Sequence, residues 1–372
     1  MLAKCKPFLQ RDLHRVPGFG NFIVNNKDFI MSQENTVSPE FQKVMGLLNA
    51  CREEVAKRVV GQKEVVEGIL VSMMVGGHVL LEGVPGLAKT LLVKTISDIS
   101  GLSFKRIQFT PDLLPADITG TLIYQQGTGG FSVRKGPVFA NLVLADEVNR
   151  APAKVQSALL EAMAEGQVTI GEETYPLPAP FFVLATQNPI EQEGTYSLPE
   201  AELDRFLMKL QVAYPSIQEE VRIIRGSGNQ SAIPVNQLLT ADRLAYCRQL
   251  LERVACDEKI VEYIVSIVAA TRPPEAGVGK AAAGRNGVRG GKEEALHKYI
   301  SFGASPRAGI ALYQCAKAAA LLAGRDFVLP EDVKSMARQV LRHRLVLSYE
   351  AAAEGVTTDD LIARILALLP VP

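Results

Sequence analysis

Neither sign of charge is in excess here: 40 lysines and arginines balance 40 aspartates and glutamates over 372 residues. Such neutrality removes the global field that draws a protein to nucleic acid, and it argues against nucleic-acid binding as a primary role. Histidine is scarce, with four isolated residues and therefore no ligand cluster. The five cysteines, Cys5, Cys51, Cys247, Cys256 and Cys315, are odd in number and not spaced as metal pairs. They read as reduced thiols of a cytoplasmic protein. The longest apolar stretch, residues 68 to 81, contains His78 and is too short to cross a bilayer, so no membrane span is expected. The first thirty residues lack the continuous apolar core of a signal peptide, and Met31 opens an alternative start. Residues 1–38 are therefore expected to form a weakly ordered extension. No internal repeat is found.

What is present has the composition of a soluble globular protein, with 47% hydrophobic and 22% charged residues. The length suggests about two domains. Four short apolar segments, 79–82, 104–109, 142–145 and 181–185, have the character of strands buried on both faces. Helical stretches such as 89–100 and 152–165 separate them. This alternation predicts an α/β fold, a parallel sheet covered by helices, over residues 39–214. Glycines amid β-formers at 113–135 suggest an inserted hairpin, and 167–178 suggests a second with Gly171 at its tip. After Pro215 only helical periodicity remains, so 215–372 is expected to be an all-α domain. Within it, the Gly- and Arg-rich run 273–292 reads as a mobile loop.

The chemistry concentrates at strand ends. Gly83-Val84-Pro85-Gly86-Leu87-Ala88-Lys89-Thr90 follows an apolar run. A strand feeding a Gly-rich turn that ends in Lys-Thr wraps backbone N–H groups around phosphates. Lys89 would then supply a point charge and Thr90 a ligand for Mg²⁺, although Ala88 stands where a second glycine is usual. Leu142 to Glu147 is an apolar strand ending in two acids. Alone this is an ordinary exposed turn. Beside a phosphate loop, Asp146 would hold the Mg²⁺ shell and Glu147 would polarise the attacking water. The next strand runs into Asn188, placed to orient that water, though Asn-Pro also simply initiates turns. A helix expected to start near Pro199 carries Asp204, Arg205 and Phe206. Arg205 is a candidate to face a neighbouring subunit, and Asp204 and Arg205 could equally be solvated. Ser305-Pro306 opens a helix whose first turn carries Arg307, a position that favours a bound anion over a bare cation. From there Arg307 is expected to reach across the domain cleft to the γ-phosphate.

Read together, Leu81 to Thr90, Leu144 to Pro152, Ala185 to Tyr196 and Gly303 to Ala308 resemble the MoxR family of AAA+ ATPases, over roughly residues 40 to 370. The resemblance implies an αβα nucleotide-binding core with a C-terminal helical lid, ATP and Mg²⁺ as cofactors, and assembly into a ring, expected to be a hexamer. It implies that Lys89 with Thr90 and Asp146 with Glu147 are the Walker A and B pairs. Asn188 would be sensor 1, Arg205 the arginine finger and Arg307 sensor 2. Gly61 and Gln62 would border adenine, and Gln108 would restrain Glu147 until a substrate engages. Arg150 is a second candidate for the finger. The implied activity is ATP-driven remodelling of partner proteins, including cofactor-metal insertion, beside proteins with von Willebrand factor A domains. The alternatives are a nucleic-acid motor, for which Arg134 and Lys135 speak, and a magnesium-chelatase-like subunit.

Overall fold

The computed structural model describes residues 38–372 apart from Pro85, Thr128, 190–194, Ser197, 227–232 and 274–293. The extension expected at 1–38 and the loop expected at 273–292 thus fall almost wholly outside the described residues. Two helices lead in, α1 (Pro39–Ala56) and α2 (Lys63–Val75), followed by β1 (His78–Glu82), α3 (Lys89–Ser100) and β2 (Phe104–Gln108). A short α4 (Pro115–Thr119) precedes the hairpin of β3 (Gly120–Gln125) and β4 (Gly130–Lys135). Then come β5 (Leu142–Asp146), α5 (Ala153–Glu165), a second hairpin of β6 (Gln167–Ile170) and β7 (Glu173–Pro176), β8 (Phe182–Gln187), α6 (Glu200–Leu203) and β9 (Phe206–Gln211). The C-terminal part contains α7 (Ile217–Arg225), α8 (Ala241–Arg253), α9 (Glu258–Ala270), α10 (Glu294–His297), β10 (Ile300–Phe302), α11 (Pro306–Leu322), α12 (Pro330–Leu341), β11 (Val346–Leu347), α13 (Tyr349–Glu354) and α14 (Thr358–Leu368).

Five strands form the central sheet in the order β2-β5-β8-β1-β9, all parallel. Parallel strands need both faces covered, and successive side chains point to opposite faces. Val79 and Leu81 of β1 accordingly join the apolar layer of α1, α2 and α3, whereas Leu80 joins the layer of α5. Leu142, Val143 and Leu144 are each fully buried. Burial of this kind contributes about 1.5–3 kcal/mol per side chain. The first layer continues without a break into α8, α9, α11 and α12, so the join expected near residue 214 is not a gap in the packing.

Two differences from the sequence reading have clear causes. The helix expected to carry Leu203 to Phe206 is only the four-residue α6, and Phe206 instead begins a fifth strand. Nothing like Gly or Pro separates the two, so no local punctuation marked the change. The C-terminal part is also not purely helical, because β10 and β11 pair antiparallel.

Candidate functional site

In a parallel sheet every strand delivers its C-terminal residues to one edge, and ligands of α/β folds bind there. At this edge β1 runs into the glycine turn, β5 ends at Asp146 and Glu147, β8 leads to Asn188, and β2 ends at Gln108. The register sets Gln108 opposite Asp146, and Glu82 opposite Gln187. β8 lies between β1 and β5, so Asn188 stands between the turn and the acid pair. Two strand spacings, roughly 10 Å, separate the turn from Asp146.

The turn itself is shaped by its backbone. Gly86 has φ +86° and Ala88 has φ +56°, both in the left-handed region. Gly83 passes so close to β9 that a Cβ there would lie 2.9 Å from the Val212 side chain. Ala88 caps α3 without any side-chain hydrogen bond, so no side-chain oxygen of the cap residue competes with an anion at the start of that helix. Lys89 Nζ donates to the Gly83 carbonyl at 2.5 Å, folded over the turn, and Thr90 is exposed beside it. An uncapped helix start, a lysine and a hydroxyl fit a polyphosphate with its divalent cation. On the adjoining side, Gln62 (φ +55°) donates to the Ala213 carbonyl at 2.7 Å, and Gly61 lies against Glu219 of α7. Pro85 lies outside the described residues.

The acid pair is held by a network. Asp146 is buried, and its Oδ1 accepts the Thr186 hydroxyl at 2.6 Å. Its Oδ2 accepts two donors from Arg106, Nε at 3.1 Å and Nη2 at 2.6 Å. Arg106 Nη2 also donates to Gln108 Oε1 at 2.6 Å, and Gln108 Nε2 donates to Glu147 Oε2 at 2.8 Å. Glu147 has φ +58°, gives its backbone N–H to Thr186 Oγ1 at 2.8 Å, and pairs with Arg150 Nε at 3.1 Å. Asn188 is buried at the end of β8.

A second cluster occupies the opposite edge. His78 and Phe206 stand in register where β1 and β9 begin, so residues just before Phe206 lie roughly 16 Å from the glycine turn. Arg205 is exposed there and donates to the Leu160 carbonyl at 3.1 Å. Asp204 is not solvated. Its Oδ1 accepts Arg344 Nε at 2.7 Å, its Oδ2 accepts the Ser305 hydroxyl at 3.0 Å, and Arg307 Nη1 stands 3.9 Å from the same Oδ2. Arg344 also donates to the carbonyls of Asp204, Phe206, Leu207 and Val340. His343 Nε2 donates to Phe206 O at 3.0 Å; burial keeps this ring's pKa well below the usual range.

The pattern for the ATPase family associated with various cellular activities (AAA) matches residues 78–208, and that for the AAA lid domain matches residues 292–365. The chain is 48% identical over 319 residues to the chaperone MoxR1 of Mycobacterium tuberculosis, covering 86% of this chain and 81% of that protein. It is 42% identical over 329 residues to the uncharacterized protein YeaC of Bacillus subtilis, covering 88% and 95%. The chain belongs to the MoxR family of AAA+ ATPases. A crystal structure of a Cytophaga hutchinsonii protein, described as a candidate ATPase, superposes with a TM-score of 0.79 at 48% identity, over 90% of this chain and 97% of that one.

Within this MoxR-family fold, the structure gathers Lys89, Thr90, Asp146, Glu147, Asn188 and Gln108 at one edge. It does not bring Arg307 there, contrary to the expectation that this arginine crosses the cleft to the γ-phosphate of its own chain. The reason is the docking of α11 and α12. Ser305, whose hydroxyl caps α11, bonds Asp204, and the Arg342-His343-Arg344 run hooks the carbonyls of β9. Arg150, the alternative finger, is engaged with Glu147 of its own chain. Three participants escaped the sequence reading: Thr186, Arg106 and Arg344. Only Thr186 left a local signal, a hydroxyl closing an apolar strand.

Proposed function

We propose that this chain hydrolyses ATP in the presence of Mg²⁺ as one subunit of a closed cytoplasmic ring, expected to be a hexamer, and uses the energy to remodel partner proteins. The observation that carries this reading is the convergence on one sheet edge of an uncapped helix start, a lysine, two acids and a buried asparagine. In this reading Gly83 to Thr90 hold the phosphates, Gly61 and Gln62 border adenine, and Thr90 with Asp146 hold the cation. The cation would neutralise phosphate charge. Glu147 accepts the proton of the attacking water, which Asn188 orients. Arg205 and Arg307 lie on the far edge of their own sheet, so both would serve a site on an adjacent subunit.

Remodelling of proteins is favoured over a nucleic-acid motor by the hairpins. β3–β4 exposes Leu122, Ile123, Tyr124 and Phe131, with the two aromatic rings packed edge to face at 5.4 Å. Lys135 is not extended to meet a phosphate backbone, because its ammonium stands 4.9 Å and 5.4 Å from the ring centroids of Phe139 and Tyr175. Maturation of partners, including metal-cofactor insertion beside a von Willebrand factor A domain protein, is the specific form proposed. The test is ATP turnover by the full chain with and without Mg²⁺, and with Glu147→Gln. That variant should still bind ATP while its turnover falls by about 10²–10⁴-fold, the usual contribution of a general base. Normal turnover would remove Glu147 from the role, and no turnover by the parent chain under any condition would defeat the proposal.

A further inference from the structure

We infer that Arg106 is a resident counter-ion of Asp146 that must withdraw when a divalent cation arrives, and that its withdrawal unlatches Gln108 from Glu147. The inference rests on the proposed nucleotide reading and extends it to a positioning residue on β2 that no motif contains.

A buried carboxylate needs a partner for its charge. Asp146 has one already, because the Arg106 fork places two N–H donors on Oδ2 while Thr186 occupies Oδ1. A guanidinium at 2.6 Å and a divalent cation near the same carboxylate repel each other, so the two cannot be held together at full strength. Arg106 can yield. Its side chain is 48% exposed whereas that of Asp146 is 11% exposed, so the arginine can swing into water and the acid cannot.

The same Nη2 atom links this exchange to Glu147. By donating to Gln108 Oε1 it fixes which way the amide faces, and the amide nitrogen is thereby aimed at Glu147 Oε2. With Arg106 gone, Gln108 Oε1 loses its donor and the amide is free to rotate. Glu147 then keeps only Arg150 among these partners. Occupancy of the cation site is in this way read out as release of the proposed base.

The test is binding of N-methylanthraniloyl-ADP to the full chain, titrated with Mg²⁺ from an EDTA-treated start. Arg106→Gln should lower the Mg²⁺ concentration at half-maximal effect by about three- to tenfold, the scale of one like charge removed at a part-exposed site. Arg106→Lys keeps the charge and should stay within about twofold of the parent. An unchanged Mg²⁺ midpoint in Arg106→Gln, with nucleotide affinity in EDTA intact, overturns the inference and leaves the nucleotide reading standing. Equal lowering in both variants indicates general loosening of the site and overturns it too. Failure of the parent chain to bind the nucleotide defeats the nucleotide reading and this inference with it. As a second readout, Gln108→Ala should raise basal turnover in the parent chain but add nothing in Arg106→Gln; equal increments in both would sever the proposed link.

Discussion

The two edges of one sheet are built on opposite plans. At the C-terminal edge the polar groups are part-exposed and share donors: Arg106, Gln108, Glu147 and Arg150 form a chain in which each could exchange its partner for another. At the N-terminal edge Arg344 is buried and saturated, with five acceptors from Asp204, β9 and α12. The first arrangement suits groups that must be released. The second suits groups that must not move, and it ties the C-terminal helices to the strand next to the glycine turn.

The most severe test of this contrast concerns Arg205, which stands on the rigid edge but is proposed to act on another chain. Arg205→Ala should reduce turnover by about 10³-fold or more, as loss of a charge-stabilising arginine does. Mixing it with Lys89→Ala protein should restore part of the rate, because some shared sites then combine the intact lysine of one chain with the intact arginine of the other. Failure of mixing to restore any rate would show that Arg205 serves its own chain or none.

A smaller effect is expected when the rigid edge itself is cut. Asp204→Ala leaves Arg344 buried without its carboxylate and should destabilise the chain by about 3 kcal/mol, measured as a shift in the urea unfolding midpoint. The part-exposed pair of Glu147 and Arg150 offers the matching control, since replacing Arg150 by Ala should cost less than about 1 kcal/mol. Similar losses from both would erase the distinction between the two edges.

An effect that builds gradually comes from protons. His78 begins β1 with Nδ1 accepting from the Val183 N–H and Nε2 facing the Met163 carbonyl, and burial lowers its pKa to about 4. His343 is shifted the same way by burial and by Arg344 beside it. Between the unfolded value near 6.5 and the depressed folded values, the unfolded chain binds more protons, so stability falls as pH falls through that window. Each ring contributes a slope of about 1.4 kcal/mol per pH unit. Urea midpoints between pH 7 and 5 would measure it, and a flat profile would mean that both rings reach water in the folded chain.

Much of the architecture was legible because buried parallel strands announce themselves as short apolar runs, as β1, β5 and β8 do; β2, expected to be buried on both faces, is instead an edge strand with Lys105, Arg106 and Gln108 exposed. β9 hid because Leu203-Asp204-Arg205 passes into it without a break in polarity or a turn residue. The placement of the glycine turn, the acid pair and Asn188 on neighbouring strand ends followed from alternation alone. The setting of Arg307 did not, since it depends on Arg344 meeting Asp204 across 140 positions of chain, a pairing with no local trace. Arg106 was equally silent, because an arginine on an edge strand looks like any solvated residue until Asp146 is placed beside it.

Among the described residues, Gln62, Ala88 and Glu147 are the non-glycine positions with left-handed backbone, and all three border the C-terminal edge. For Ala88 the conformation costs roughly 1 kcal/mol that glycine would avoid. Alanine also visits fewer shapes than glycine when the turn is empty. Because the shapes alanine keeps lie mostly at negative φ, the methyl group does not preform this bend, and the contacts around the turn must hold it in place.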